Sequence, residues 1–220
     1  RDERGLRDPT IGLFGIGYSF TDSTIGFCRT ERIPPNHLYN TKTLVTGGGS
    51  YYDRFTGRIV FSIYDLSGRV IGFSGRIFGD VPKEIEIKKY VNSSNSIVYN
   101  KSLSLFGISQ AKKSILERGY AIIVEGNLDV ISLSQAGIEN VVAPCGTALR
   151  IEQLYLLKTL TKKVVCCFDS DEAGQEAKEK SKLLCENVGL EWQGLILLDA
   201  KDPDEFIRKH SKEEFEQLME

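Results

Sequence analysis

The sequence predicts an α/β protein: a parallel sheet with flanking helices over residues 115–205, preceded by a smaller mixed α+β subdomain over 1–114. Three observations carry this. From residue 120 onward, short β-branched runs alternate with amphipathic stretches through brief connections, the pattern of strands buried on both faces. Before residue 113, alternating runs meet across turn signals instead, which is how antiparallel hairpins read. Charge also divides at that point: residues 54–113 carry ten basic and four acidic side chains, whereas 114–220 carry twelve basic and twenty acidic. The net charge of −2 over 220 residues hides a basic stretch followed by an acidic one, an arrangement suited to holding polyanions and cations at different places.

Taken in order, Leu6, Ile11 and Phe14 suggest a short helix, and Gly15, Gly17 and Gly26 punctuate the weakly patterned stretch around and after it. Gly47-Gly48-Gly49-Ser50 reads as a hairpin turn or surface loop, with a phosphate-binding loop as the weaker alternative. Arg58–Ile63 and Val70–Arg76 flank Asp65-Leu66-Ser67-Gly68, which predicts a β-hairpin. Residues 102–118 read as a helix. Strands are predicted at 121–124, 140–143, 164–168 and 194–198, with helices at 130–136, 152–160 and 173–188 between them. Residues 206–220 look like the start of a further helical segment.

The chain begins Arg1-Asp2-Glu3-Arg4, without a starting Met or the apolar core of a signal peptide, so it reads as a fragment of a longer product. No apolar run approaches membrane-spanning length. Five cysteines at 28, 145, 166, 167 and 185 include no Cys-x-x-Cys, and His37 and His210 are the only histidines. A zinc site within the chain is therefore not expected. Cys166 and Cys167 read as small core residues, and the unpaired set fits a reducing compartment.

Acidic residues recur beyond the predicted strands: Glu125 and Asp129 after the first, Asp169 and Asp171 after the third, Asp202 and Asp204 after the fourth. Loops at the carboxyl ends of strands gather on one edge of an open α/β sheet, where ligands bind. Carboxylates brought together there repel and call for a cation. An all-oxygen donor set selects Mg²⁺ or Mn²⁺ over zinc. The competing reading is capping, since Asp169, Asp171 and Asp202 each precede a predicted helix. In the basic stretch the ordinary alternative is a solvated surface charge, and for Tyr90 and Phe106 it is core packing rather than base stacking.

Glu at the first strand end with Asp-x-Asp at the third resembles the Toprim domain of primases and topoisomerases. Motifs along nearly the whole chain resemble DnaG-type primases more specifically. These are Arg4-Gly5-Leu6, Phe14-Gly15-Ile16-Gly17-Tyr18, Tyr52-Asp53-Arg54-Phe55, Gly57-Arg58-Ile59 and Gly72-Phe73-Ser74-Gly75-Arg76. Further along come Lys89-Tyr90-Val91-Asn92-Ser93, Asn100-Lys101-Ser102, Gly146-Thr147-Ala148-Leu149, Asp171-Glu172-Ala173-Gly174 and Asp202-Pro203-Asp204-Glu205. Asn127, Ser74 and Cys145 depart from the family pattern without removing a carboxylate or a cation.

The resemblance implies a Toprim parallel sheet and metal-dependent synthesis of RNA primers from ribonucleoside triphosphates on single-stranded DNA. It implies Glu125, Asp169 and Asp171 as catalytic metal ligands, with Asp129, Asp202 and Asp204 as second-metal or outer ligands. Arg54, Arg58, Arg76, Lys89, Asn92 and Lys101 would contact template or nucleotide. It further implies a cytoplasmic protein, monomeric as this fragment, whose zinc domain and contact with the replicative helicase lie outside the chain. A Toprim nuclease or topoisomerase would use the same carboxylates, and a non-catalytic single-stranded DNA-binding module would be expected to have lost some of them.

Overall fold

A computed structural model describes residues 5–79, 88–146, 148–169, 171–197 and 199–219. The Arg1–Arg4 opening, Thr147, Ser170 and Leu198 therefore lie outside the described residues. The chain divides into two compact units. One comprises Ile11–Ile63 and Val70–Asn100, and the other Arg1–Thr10, Tyr64–Arg69 and Lys101–Glu220. The boundary expected between 114 and 115 falls inside a helix, Ile108–Arg118, all of which belongs to the second of these units.

The last half of α1 (Asp8–Leu13) opens the first unit and is followed by β1 (Ile16–Ser19), α2 (Ser23–Thr30) and α3 (Pro35–Asn40). Next come β2 (Leu44–Gly47) and β3 (Ser50–Asp53), paired antiparallel around Gly48 and Gly49. These glycines take φ of 57° and 81°, a region that resists a side chain. The glycine run is thus the hairpin turn. β4 (Arg58–Tyr64) and β5 (Val70–Ile77) form the predicted hairpin. At its tip the Asp65 carboxylate accepts from the backbone and hydroxyl of Ser67 and from Arg69, and these bonds hold its pKa well below the ordinary value. With β6 (Tyr90–Asn92) the strands make a sheet in the order β1-β4-β5-β6. Phe14, Phe61, Ile63 and Tyr99 are buried in this unit.

The second unit opens with β7 (Leu105–Phe106) and α4 (Ile108–Arg118). The helix predicted from 102 thus starts six residues later, because Leu105 and Phe106 are spent pairing antiparallel with Pro144 and Ala143. Beyond α4 the chain forms β8 (Tyr120–Ile123), α5 (Asn127–Gln135), β9 (Val141–Pro144), α6 (Ile151–Lys158), β10 (Lys163–Cys167), α7 (Glu172–Val188) and β11 (Glu191–Leu195). The last strand lies three residues earlier than predicted, carried by Trp192 in register with Val164. α8 (Pro203–Lys209) and α9 (Lys212–Gln217) complete the unit.

The strand order is β11-β10-β8-β9-β7, parallel except for the β7 edge. Alternation along the strands sends Ala121, Ile123, Val164 and Cys166 to one face, where they pack with Ile108 and Ile115 of α4, Leu154 and Leu157 of α6, and Cys185 and Val188 of α7. α5 packs against β9 and α8. Cys166 and Cys167 are buried free thiols, as their apolar run suggested. Phe106 is wholly buried, which makes it core, whereas Tyr90 is 40% exposed.

Candidate metal and phosphate site

The chain runs β8, β9, β10 in sequence, but in space β10 crosses back to the other side of β8. The adjacent carboxyl ends of β8 and β10 therefore mark the point where the winding reverses, the place such sheets bind ligands. Glu125 stands just past β8 and Asp169 just past β10. They meet directly: the Asp169 backbone N–H donates to Glu125 Oε1 at 3.1 Å. Glu125 is exposed and Asp169 half-buried. Burial, then the charge of Glu125, then those of Asp202 and Asp171 push the Asp169 carboxyl up to about 6, against the pull of Lys201.

Asp171 and Asp202 do cap helices, as the competing sequence reading held. Asp171 Oδ1 accepts from Gly174 N at 2.8 Å and Asp202 Oδ1 from Glu205 N at 2.7 Å. Each cap uses one carboxylate oxygen. The first turn of α7 sits hard against the end of β10, where a Cβ on Gly174 would collide with the Asp169 carbonyl. Only glycine lets the helix start that close.

Asp129 and Asp204 are buried at 8% and 3% exposure and brace α5 against α8. The Asp129 oxygens accept from Gly126 N at 3.0 Å and Asp204 N at 3.2 Å. Asp204 accepts from Ser132 Oγ and pairs with Arg208 at 2.9 Å. Burial foremost, then Asp202, raise the Asp129 carboxyl to about 7, with Asp169 adding a smaller push. Sequence reading missed Ser132 and Arg208. A Ser on α5 and an i,i+4 Asp–Arg pair on α8 look like ordinary helix surface until the two helices are seen to pack.

Among the described residues, no three His, Cys, Asp or Glu side chains are already arranged to hold a metal ion. The donor chemistry nonetheless suits a hard cation. Glu125 and Asp169 meet at the sheet edge, Asp171 and Asp202 act on Asp169 through their charge, and Asp169 and Asp129 bind protons more tightly than ordinary carboxylates do. Carboxylates in that condition lower their energy by taking up a divalent ion in place of protons.

The basic residues behave differently. Arg54 donates to the Asn92 carbonyl at 3.3 and 3.2 Å. Arg58 is 7% exposed and donates to the carbonyls of Lys88 and Lys89 at 3.0 and 3.3 Å; burial lowers its pKa. Arg76 lies opposite Tyr90 on β5 and β6 and keeps a buried Nε without a hydrogen-bond partner. Arg54, Arg58, Arg76, Lys89 and Asn92 thus gather around β4–β6 of the first unit, with Lys89 exposed. Lys101 belongs to the second unit, where its carbonyl accepts from Gln153 Nε2 at 3.2 Å.

Residues 2–112 match the family described as DNA primase catalytic core, N-terminal domain, and 122–207 match the Toprim-like family. This chain belongs to the DNA primase catalytic core family. A DNA primase of Clostridium acetobutylicum is 38% identical over 99% of this chain and 36% of its own length. The crystal structure of the Aquifex aeolicus primase (zinc-binding and RNA polymerase domains) superposes with a TM-score of 0.91 at 38% identity, covering 99% of this chain and 53% of that one. A DnaG primase catalytic domain solved bound to single-stranded DNA gives a TM-score of 0.86 at 35% identity, covering 99% and 68%. The chain thus spans 36% and 43% of the length of two such curated relatives. The Toprim primase family generally depends on a divalent metal. Among the described residues no helix is long and apolar enough to cross a membrane.

Proposed function

We propose that this chain is the catalytic part of a DNA primase, joining ribonucleotides into short RNA primers on a single-stranded DNA template during replication. The observation that carries the reading is the direct meeting of Glu125 and Asp169 at the winding reversal, within a primase-family chain. Glu125, Asp169 and Asp171 would hold Mg²⁺ or Mn²⁺, with Asp202 alongside and Asp129 and Asp204 setting the placement of α8. When bound, the ion would lower the pKa of the attacking 3′-hydroxyl and stabilise charge on departing pyrophosphate. Arg54, Arg58, Arg76, Lys89, Asn92 and Lys101 are the candidates to shape the path of template and triphosphate. Functionally, 1–114 would supply those contacts and 115–205 the metal, while 206–220 would begin a helical segment. The relative solved with single-stranded DNA supports the template class. Ribonucleoside triphosphates, a replicative helicase engaged through a region outside this chain, a monomeric fragment and a cytoplasmic setting follow from the family resemblance.

Incubation with labelled ribonucleoside triphosphates, single-stranded DNA and Mn²⁺ should give short RNA products that depend on template. Asp169→Asn should lower incorporation roughly a hundredfold or more, since several kcal/mol of metal-borne charge stabilisation is at stake. It should also weaken calorimetric Mn²⁺ binding. An active variant would sink the mechanism, and unchanged Mn²⁺ affinity would remove Asp169 as a ligand. DNA cleavage instead of synthesis would favour the Toprim nuclease reading, and binding without product a non-catalytic module.

A further inference from the structure

A cavity of about 510 Å³ opens in the first unit between α2, the start of α3 and β3, a size within the ~300–1,000 Å³ of small-molecule sites. None of its lining residues belongs to the acidic edge or to the basic group around β4–β6. Asp22, Ile25, Arg29 and Arg32 form one wall. Their spacing of three and four residues puts them in one stripe along α2, with Asp22 at its N-cap and Arg32 just past its end. At about 1.5 Å per residue the stripe runs for roughly 15 Å. It is negative at one end, positive at the other and apolar between.

The facing wall is held in place from both sides. Tyr51 and Asp53 share a face of β3, and Asp53 Oδ2 accepts from Thr24 N at 2.8 Å and Ser23 Oγ at 3.3 Å, which pins the start of α2 to the strand. Tyr51 lines the cavity, its ring edge-to-face with Tyr39 of α3 at 5.9 Å. Both ends of α2 depart from what a helix terminus prefers. Asp22 occupies the N-cap at φ 56°, yet its side chain makes no capping bond. Arg32 follows the last turn, where Ile33 N donates to Cys28 O at 2.9 Å and the backbone is left-handed at φ 55°. Glycine is the residue that such a turn favours. Among the described residues the exposed Arg29 and Arg32 side chains make no hydrogen bond or ion pair. A carboxylate and two guanidinium groups thus line one cavity with their bonding capacity unspent.

We propose that this cavity binds a free nucleoside di- or triphosphate, with its phosphates on Arg29 and Arg32 and its base on the apolar middle beside Ile25 and Tyr51. Planar guanidinium groups match phosphate oxygens two at a time, and an aromatic ring supplies a face for a base. Charge sets the direction. Phosphates are repelled from Asp22, which is left to accept from sugar hydroxyls or a base amino group. The length of the stripe suits an extended nucleoside diphosphate. Arginines take the place that a metal ion holds in most triphosphate sites, so binding here needs no Mg²⁺ or Mn²⁺. The proposal stands apart from the polymerase reading, and it would let free nucleotide act on the protein through residues other than the metal ligands.

The test is calorimetric titration of the whole chain with ADP in excess chelator. One ADP should bind per chain. Inorganic pyrophosphate and adenosine should each bind about tenfold or more weakly than ADP, since each lacks half of the contacts. Arg29→Ala should weaken ADP binding about tenfold or more, the effect of one lost hydrogen-bonded charge. Arg32→Gly should weaken it similarly while holding or raising the melting temperature, because glycine suits the left-handed turn. Asp169→Asn should leave ADP binding in chelator unchanged. If it abolishes that binding, the nucleotide sits on the acidic edge and the proposal fails. No ADP binding by the unaltered protein, or full affinity in both arginine variants, overturns it as well. Pyrophosphate binding as tightly as ADP would reduce the cavity to an adventitious anion site only, and overturn it equally.

Discussion

The acidic and basic clusters hold similar numbers of charges but solve opposite problems. Around β4–β6 the arginines are supplied with acceptors: Arg54 and Arg58 donate to main-chain carbonyls. At the ends of β8 and β10, burial first and the charge of neighbouring carboxylates second raise the proton affinities of Asp129 and Asp169. Charge count cannot separate the two regions. What separates Arg54 and Arg58 from Asp169 is whether the fold's own partners outweigh burial and like charge. Where they do, the residue acts first on the architecture; where they do not, the residue is a candidate to take an ion or substrate.

The sharpest way to break this contrast is Arg58→Ala. From sequence alone Arg58 and Arg76 look equivalent, both on the glycine-marked hairpin, and both are expected to contact phosphate at little cost to stability. Burial separates them. Removing Arg58 strands two carbonyls beside a cavity, and should cost roughly 2–4 kcal/mol in urea denaturation, since hydrogen bonds to a charged group are the strong ones. An unchanged midpoint with lost DNA binding would return Arg58 to the contact surface.

The next largest effect is a pH dependence of the metal-free protein. Asp129 at about 7 and Asp169 at about 6 both lie above the ordinary carboxyl value. Near pH 4 and below, folded and unfolded chains are protonated alike at these groups, and the stability they permit is fully present. Between pH 4 and 7 the unfolded chain has released protons that the folded chain still holds, so stability falls as pH rises through this window. The expected loss is on the order of 2 kcal/mol, carried mostly by the more buried Asp129 because half-exposed Asp169 is screened. Mn²⁺ added at pH 7.5 should restore the share that Asp169 carries. Melting curves in chelator that rise over the same window would mean the carboxylates are not in conflict.

The smallest stability effect belongs to Arg76→Ala, within about 0.5 kcal/mol as for most substitutions outside a bonded network. Its single-stranded DNA affinity should drop and the salt slope should decrease by about one unit, the mark of one lost phosphate contact. A full slope with full affinity would leave its unpartnered Nε without a role.

The alternating half of the chain was readable because periodicity and short connections constrain it twice over: β8, β9, β10 and α5–α7 sit within a few residues of their predicted places. α2 and α3 were not readable, since STIGFCRT and PNHLYN carry little amphipathic signal and form where the chain around them allows. β6 and β7, three and two residues long, exist through pairing with β5 and β9, which local sequence cannot express. At the site, strand-end logic located Glu125 and Asp169. It could not tell the capping oxygens of Asp171 and Asp202 from free ones, nor foresee that Asp129 and Asp204 would be tied to α8 by Ser132 and Arg208.

The reversal of strand order also has a consequence in time. Glu125 leaves the ribosome 44 residues ahead of the Asp169 amide that it accepts from. β8 and β9 can pair early, but β10 must return past them to the far flank of β8 before the two groups meet, closing a long loop first. Until that docking is complete, a nascent chain has one isolated, hydrated glutamate and no Asp169 beside it. Metal uptake during refolding would therefore lag the early secondary structure and keep step with the arrival of β10, making a cation a late reporter of correct winding.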